Sequence, residues 1–439
     1  MKRTPDVTIV GAGLAGVECA HEIIKGGFFV RLIDKKPERF GAYELPGFAE
    51  LVCSNSLKSE DETTASGLLK REMRALGSLL LAKADNHRVK AGGALAVDRE
   101  ALSQEITAYF QEHLQVEILS ETVTSIPTKT PFTVLATGPL TEAHLATKLS
   151  NDRLHFYDAT APIVARESID MNEAFAGGRY GKGGDDYLNC PLDETAYNAF
   201  YEALITGELV ETDDYDDKLF QHCQPIERLA KRGRDTIRYG PMRPVGLKDP
   251  RTGKRPYAVL QLRREDASGE MWGLVGFQTR LKFFEQKRIF QLIPALRHAE
   301  FYRYGVMHRN TYVNGPELLT HGNEMKDREN VFVAGQLSGV EGYMESAASG
   351  LLTGRFIRHL LEGKTKDEAI GLLPSEQTMI GALHQYVIAS PTSDYQPMNA
   401  NFGLFAATDD QPRKKDLRRQ FFIERSDQEI KRVLGKEDD

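Results

Sequence analysis

The chain has 439 residues, 41% apolar and 27% charged, the balance of an ordinary soluble globular protein with room for two or three domains. It contains no run of about 18 apolar residues, which argues against a membrane-spanning helix. Its four scattered cysteines (Cys19, Cys53, Cys190, Cys223) have neither disulfide-scaffold nor metal-site spacing, so no metal is expected and a reducing, cytoplasmic setting fits. Lys2 and Arg3 ahead of an apolar stretch imitate a secretory signal, but Asp6 interrupts that stretch and secretion is not expected.

In chain order, an apolar strand over 7–10 runs into Gly11-Ala12-Gly13-Leu14-Ala15-Gly16, a helix follows to Gly26-Gly27, and a second apolar run ends at Asp34. This is the dinucleotide fingerprint with its parts in order. Gly11 allows the tight turn, Gly13 the approach of a pyrophosphate to the backbone, and Gly16 close packing of the helix. The helix N-terminus offers free N–H groups to the phosphates. Asp34, 23 positions after Gly11, is spaced to bind a ribose hydroxyl. Apolar periodicity predicts a helix over 64–83, a glycine-led strand over 91–97 and a helix from an Asp98 cap to about His113. Strands over 116–119 and 132–136 follow, the second entering Thr137-Gly138.

From about Pro139 the composition shifts to Tyr, Arg, Gly and Pro, with strand candidates at 258–262 and 272–277 and helical pieces at 193–207 and 284–292. A fully apolar strand returns at Val331-Phe-Val-Ala-Gly335-Gln336, and a helical stretch runs from Gly342-Tyr343 to Leu361. The charged last 25 residues predict a surface helix or tail. The fold class expected is α/β: a Rossmann-type FAD-binding domain formed by 1–140 and 329–439, interrupted by an inserted α+β domain over 141–328.

A single G-x-G-x-x-G favours one resident nucleotide. The turn at Thr137-Gly138 and the strand-to-helix passage Gly335-Gln336 to Gly342-Tyr343 resemble flavin-contacting segments of two-domain flavoproteins, which points to FAD rather than NAD. A helix N-terminus near the pyrimidine side of a flavin stabilises the anion formed on reduction.

Cys53 lies among Ser54, Asn55 and Ser56, not in apolar packing, which suggests a functional thiol. Cys223 directly precedes a basic stretch, where nearby cations favour the thiolate. Cys19, in the first helix, and Cys190, before a proline turn, read as structural. Between Gln224 and Arg264 twelve Lys/Arg, including Arg228, Lys231 and Arg232, face three acids, a net +9 within a chain of net charge −7. Such a stretch is either a footprint for a phosphate backbone or a solvated face. A thiolate adding at C6 of a pyrimidine makes C5 nucleophilic, which suits a cytosolic flavin enzyme acting on a nucleic-acid base.

The motifs GAGLAG (11–16), FAELVCSNSLKS (48–59), LATGPLT (135–141), GRYG (178–181), CQPIERLAKRG (223–233), YGPMRPVGLKDPRTGK (239–254), YGVMHRNTYVN (304–314) and AGQLSGVEGYMESAASG (334–350) resemble the folate- and FAD-dependent tRNA (uracil-5-)-methyltransferases over nearly the whole chain. The resemblance implies methylenetetrahydrofolate as carbon donor, NAD(P)H as reductant and 5-methyluridine at position 54 of the tRNA T-loop as product. It implies Cys223 as the nucleophile at C6 and Cys53 as a flavin-side thiol. His308, Arg309 and Asn310 are then near flavin or folate, and Arg228, Lys231 and Arg232 at phosphate. Two departures stand out: Gly41–Gly47 reads GAYELPG where the family has a Pro-Ala-His-His-Thr-like stretch, and Asp34 stands where Glu is commoner. Ribosomal RNA as substrate, or a flavin-bound RNA-binding or chaperone protein without turnover, remain open alternatives. Sequence gives no oligomeric state.

Overall fold

The protein is described by a computed structural model covering residues 4–38, 43–149, 154–181, 184–210, 224–391, 395–406 and 408–436. Five short parallel strands form the main sheet: β1 (Val7–Val10), β2 (Val30–Asp34), β3 (Val116–Ser120), β4 (Phe132–Leu135) and β5 (Val331–Val333), in the order β5-β4-β1-β2-β3. Val7 pairs with Val30 on one side and Phe132 on the other. Both faces of β1 are covered, which is why its four residues read as a continuous apolar run.

Helix α1 (Leu14–Lys25) and helix α2 (Tyr343–Leu361) cross at backbone contact. A side-chain carbon on Gly350 would sit 2.0 Å from the Ala15 carbonyl oxygen, and one on Gly354 2.6 Å from that of Cys19. A carbon on Gly16 would lie 1.8 Å from the Gly11 carbonyl oxygen. Small residues therefore let the helix that opens the fingerprint and the helix that closes the fold share one layer.

A second, separate core lies in the segment between β4 and β5. There a six-stranded antiparallel sheet runs in the order Phe175–Ala176, Tyr187–Leu192, Ala258–Arg264, Met271–Leu274, Ile163–Ala165, Phe301–Arg303. Tyr197 and Phe200 from helix Glu194–Thr206 and Phe290 from helix Phe283–Phe290 pack with Phe277 and Trp272. The chain passes between the two bodies along an antiparallel ribbon, Leu154–Ala159 against Met307–Tyr312.

Several elements differ from expectation for local reasons. The helix over 64–83 is two, Ala65–Leu76 and Leu79–Asn86, because Gly77 takes φ +84 and Ser78 caps the second. The strand expected to 277 stops at Leu274, ahead of a turn at Gly276 (φ +77). Cys190 does not precede a proline turn: it and Pro191 lie within the strand Tyr187–Leu192, and burial pushes its thiol up to about 12. The charged C-terminal segment forms a helix over Lys415–Val433 whose Phe422, Ile430 and Val433 join the main core.

The buried Glu72 carboxylate accepts from the amides of Met379 (2.7 Å) and Ile380 (2.8 Å) and from the Ser426 hydroxyl (2.6 Å), tying helix Ala65–Leu76 to two later helices. Burial outweighs these bonds and raises its pKa from 4.5 to about 7. Between those values the folded chain holds a proton that the unfolded chain has released, so this group's contribution to stability falls as pH rises through that window. Urea unfolding of Glu72→Gln from pH 4.5 to 7.5 is expected to lose this part of the wild-type slope. Gly350→Ala forces the two helices apart and is expected to cost about 1–3 kcal/mol, with a matching loss of bound FAD, both read from one denaturant titration.

Candidate active site

The fingerprint turn is built as its glycines require. Gly11 has φ +102, and a side-chain carbon there would lie 2.3 Å from the Ala136 carbonyl oxygen at the end of β4. At Gly13, the N-cap of α1, the same test finds nothing within 4 Å, so the helix N-terminus faces open space. Asp34, at the end of β2, accepts the Ala12 amide at 2.5 Å through Oδ2 and the Lys36 amide at 2.9 Å through Oδ1. It borders a recess of about 390 Å³ with Gly11, Thr137 and Thr141, whose two hydroxyls are 2.6 Å apart.

Next to this recess opens a cleft of about 1170 Å³. Gly13, Leu14 and Ala15 line it from the fingerprint, Gly138 from the turn after β4, and Gly335, Gln336, Gly342 and Tyr343 from the approach to α2. Gly342 caps α2 at φ +119, so a second helix N-terminus meets the same space. An elongated ligand with phosphates at one end and a planar ring at the other suits these two adjacent features, which share Leu140 as a wall. The open face at Gly13 and the two helix ends are what FAD demands, and the residues present suit it.

The thiol of Cys53 lines this cleft and is partly exposed. The Tyr343 hydroxyl oxygen accepts the Cys53 amide at 2.6 Å and the Ser54 amide at 3.2 Å, and burial pushes its phenol well above the ordinary range, so it stays neutral. On the other side, the Ser54 hydroxyl accepts from Arg263 Nη2 at 2.7 Å, and Asn55 Nδ2 donates to the Arg264 carbonyl at 2.9 Å. The thiol loop is thus pinned between the first residue of α2 and a strand of the second sheet.

Asn310 reaches the cleft from the ribbon; it is 1% exposed, and its Oδ1 has no hydrogen-bond partner among the described residues. His308 and Arg309 precede it on the same strand, paired with Asp158 and Tyr157, and their side chains lie outside the described residues. Cys223 also lies outside the described residues. Where the description resumes, the Ile226 amide donates at 2.8 Å to the carbonyl of Gln278, a cleft residue. Of the three expected phosphate contacts, Lys231 and Arg232 are exposed and Arg228 is half-buried.

Some cleft residues escaped the sequence reading. Lys58, at φ +65, pairs with buried Glu345 at 2.7 Å against Gly342. Lys36 and Glu50 form a buried pair at 2.6 Å, and Glu50 faces the cleft. Tyr43, which lines the cleft beside Gly138, comes from the very segment that departs from the family pattern. Lys58 lies in the FAELVCSNSLKS motif, but only folding shows that its partner is 287 positions away.

Among the described residues no group of His, Cys, Asp and Glu is placed to hold a metal, and no helix is long and apolar enough to cross a membrane.

A parallel Rossmann sheet completed after an insertion, with two helix N-termini on one cleft, defines an FAD-binding protein of the inserted-domain type. Residues 6–365 match the family model described as glucose inhibited division protein A. Two curated relatives are named methylenetetrahydrofolate--tRNA-(uracil-5-)-methyltransferase TrmFO. The one from Acetivibrio thermocellus is 50% identical over 91% of each chain, and the one from Thermotoga maritima is 49% identical over 98% of each. Aquifex aeolicus GidA superposes with a TM-score of 0.69 at 16% identity over 98% of this chain and 74% of its own, a likeness of fold. The chain belongs to the GidA family and, within it, to the methylenetetrahydrofolate--tRNA-(uracil-5-)-methyltransferases.

Tyr343→Phe strips the acceptor from two loop amides, so the Cys53 loop is expected to loosen at a cost of about 1–3 kcal/mol. The check is the rate at which an aromatic disulfide reagent labels Cys53, followed by peptide mapping; it should rise severalfold over wild type.

Proposed function

We propose that this protein is an enzyme that methylates C5 of a uridine in tRNA, the T-loop uridine at position 54, with methylenetetrahydrofolate as carbon donor and NAD(P)H as reductant. The observation that carries the reading is the single cleft in which the fingerprint, the Cys53 loop and the start of α2 meet. In this reading residues 141–328 are the substrate-binding insert, residues 1–140 and 329–439 hold FAD, and the protein works in the cytoplasm with its tRNA. The overall reaction balances: uracil C5 gains a methyl group, one hydride comes from NAD(P)H, and tetrahydrofolate is released.

FAD bound in the cleft supplies the redox chemistry that turns a methylene into a methyl. Gly11 and Gly13 would take its pyrophosphate end, with Gly16 seating the helix behind them; Asp34 and Thr137-Gly138 would lie on its ribose side, and Gly335-Gln336 with Gly342-Tyr343 would hold its ring. The Cys223 thiolate, which precedes the basic stretch with Lys231 and Arg232 in sequence, forms a bond to uracil C6, and C5 becomes the carbon nucleophile. After C5 takes up the one-carbon unit and loses its proton, the C6–S bond breaks and the thiolate leaves. Cys53 stands on the flavin side and assists methylene or proton transfer. Asn310, with His308 and Arg309 beside it in sequence, offers its unpartnered Oδ1 to an N–H of the bound ring system. Arg228, Lys231 and Arg232 bind phosphate.

The test is incubation of the FAD-loaded protein with methylenetetrahydrofolate, NADPH and unmodified tRNA or ribosomal RNA, followed by mapping of 5-methyluridine. Product confined to the T-loop uridine is expected, and absence of product on tRNA contradicts the reading. Cys223→Ala and Cys53→Ala are each expected to lower turnover by at least about 100-fold while retaining FAD. Wild-type turnover by either variant removes the role given to that thiol.

A further inference from the structure

The motif Gly178-Arg179-Tyr180-Gly181 takes no part in the cleft, yet it holds an unusual conformation. Tyr180 is a bulky residue at φ +57, ψ +26, in the left-handed region that disfavours side chains, and it is 67% exposed. Such strain persists only where the surroundings impose it. They do so here. The Tyr180 amide donates to the Gly246 carbonyl at 2.8 Å, and its ring lies flat enough on Gly246 that a side-chain carbon there would come within 3.0 Å. Beneath it, Arg179 donates to Gln261 Oε1 (2.8 Å) and to the carbonyls of Arg243 (2.5 Å) and Val245 (2.9 Å). Gln261 in turn donates to buried Asn189, which donates to the Gly177 carbonyl at 2.8 Å.

The framework is therefore spent on presenting an aromatic ring to solvent. Its surroundings are cationic. Arg243 and Lys248, on the loop that supports the ring, are exposed and form no ion pair among the described residues. Burial, with the Arg243 charge added to it, lowers the Arg179 pKa. The other cations of the segment that have structural work are elsewhere: Arg238 stacks on Tyr257 at 3.8 Å, and Arg251 pairs with Asp249 at 2.7 Å. What remains on the loop beneath Tyr180 is the positive charge of Arg243 and Lys248, neither in an ion pair among the described residues.

We propose that Tyr180 is a stacking platform for an unpaired nucleobase of the RNA substrate, with Arg243 on the adjoining phosphate. The proposal rests on the reading of tRNA as substrate and adds a contact with a base to the phosphate contacts already assigned. An exposed π face flanked by cations suits single-stranded nucleic acid, since every base has a face to stack and every linkage a charge.

The experiment compares Tyr180→Phe, Tyr180→Leu and Tyr180→Gly in the full-length, FAD-loaded protein, using unmodified tRNA. Phe keeps the ring; Leu keeps bulk and strain without a π face; Gly removes the ring and relieves the strain, so its loss of binding is not a failure to fold. Phe is expected to bind and methylate as wild type. Leu and Gly are expected to bind about tenfold more weakly and to raise KM with kcat at saturating tRNA retained. NADPH oxidation without RNA stays unchanged in all three. Arg243→Gln is expected to lower the slope of log affinity against log salt by about 1, whereas the Tyr180 variants leave that slope alone. Equal tRNA affinity for Leu, Gly and Phe, with the wild type methylating normally, overturns the platform and leaves the substrate reading intact. A wild type that methylates no tRNA overturns both.

Discussion

Everything at this site depends on backbones approaching more closely than side chains allow. Gly11 fits against Ala136, Gly16 against Gly11, and Gly350 and Gly354 against α1, each leaving less room than one carbon atom needs. The consequence is geometric. The start of α1 and the start of α2, separated by more than three hundred residues in the chain, open on the same cleft. Two sets of unsatisfied N–H groups and two positive dipole ends then serve one ligand, the arrangement suited to an anionic dinucleotide whose ring also gains charge on reduction.

The second constraint is the way the insert is locked to that frame. The Cys53 loop is hydrogen-bonded to Tyr343 on one side and to Arg263 and the Arg264 backbone on the other. The strand carrying those arginines runs on one side into the insert's sheet, whose loops bear the basic stretch. The Cys53 loop, the cleft and the strand that ends in Arg263 and Arg264 are thereby fixed relative to one another by a few hydrogen bonds. The ribbon that joins the two bodies contributes Asn310 to the same cleft.

The parts of the site legible in the sequence are those set by local backbone demands. The fingerprint turn, the Asp98 cap and the helix beginning at Tyr343 follow from glycine positions, a capping side chain and period, and they stand close to where those features place them. The break at Gly77 was missed because apolar period continues across it, although its left-handed glycine was visible in the chain. Pairings set by tertiary contact were not legible at all. Lys58 with Glu345, Tyr343 with the Cys53 amide and Tyr180 on Gly246 are long-range choices that no window of sequence contains. The basic stretch shows the same limit: charge counting gave its sign, but only the fold separates Arg238 and Arg251, held in structural contacts, from exposed Lys231, Arg232 and Arg243.

The proposed mechanism turns on Cys223 attacking C6 of the uracil ring of tRNA. Transfer RNA carrying 5-fluorouridine tests it most directly, because fluorine at C5 blocks release of the C6–S bond once the carbon is in place. After incubation with the FAD-loaded protein, methylenetetrahydrofolate and NADPH, the covalent adduct is digested and its cysteine peptide sequenced by mass spectrometry. The account predicts an adduct on the peptide that contains Cys223, abolished by Cys223→Ala. An adduct carried instead by Cys53, Cys19 or Cys190, or none at all, would contradict it.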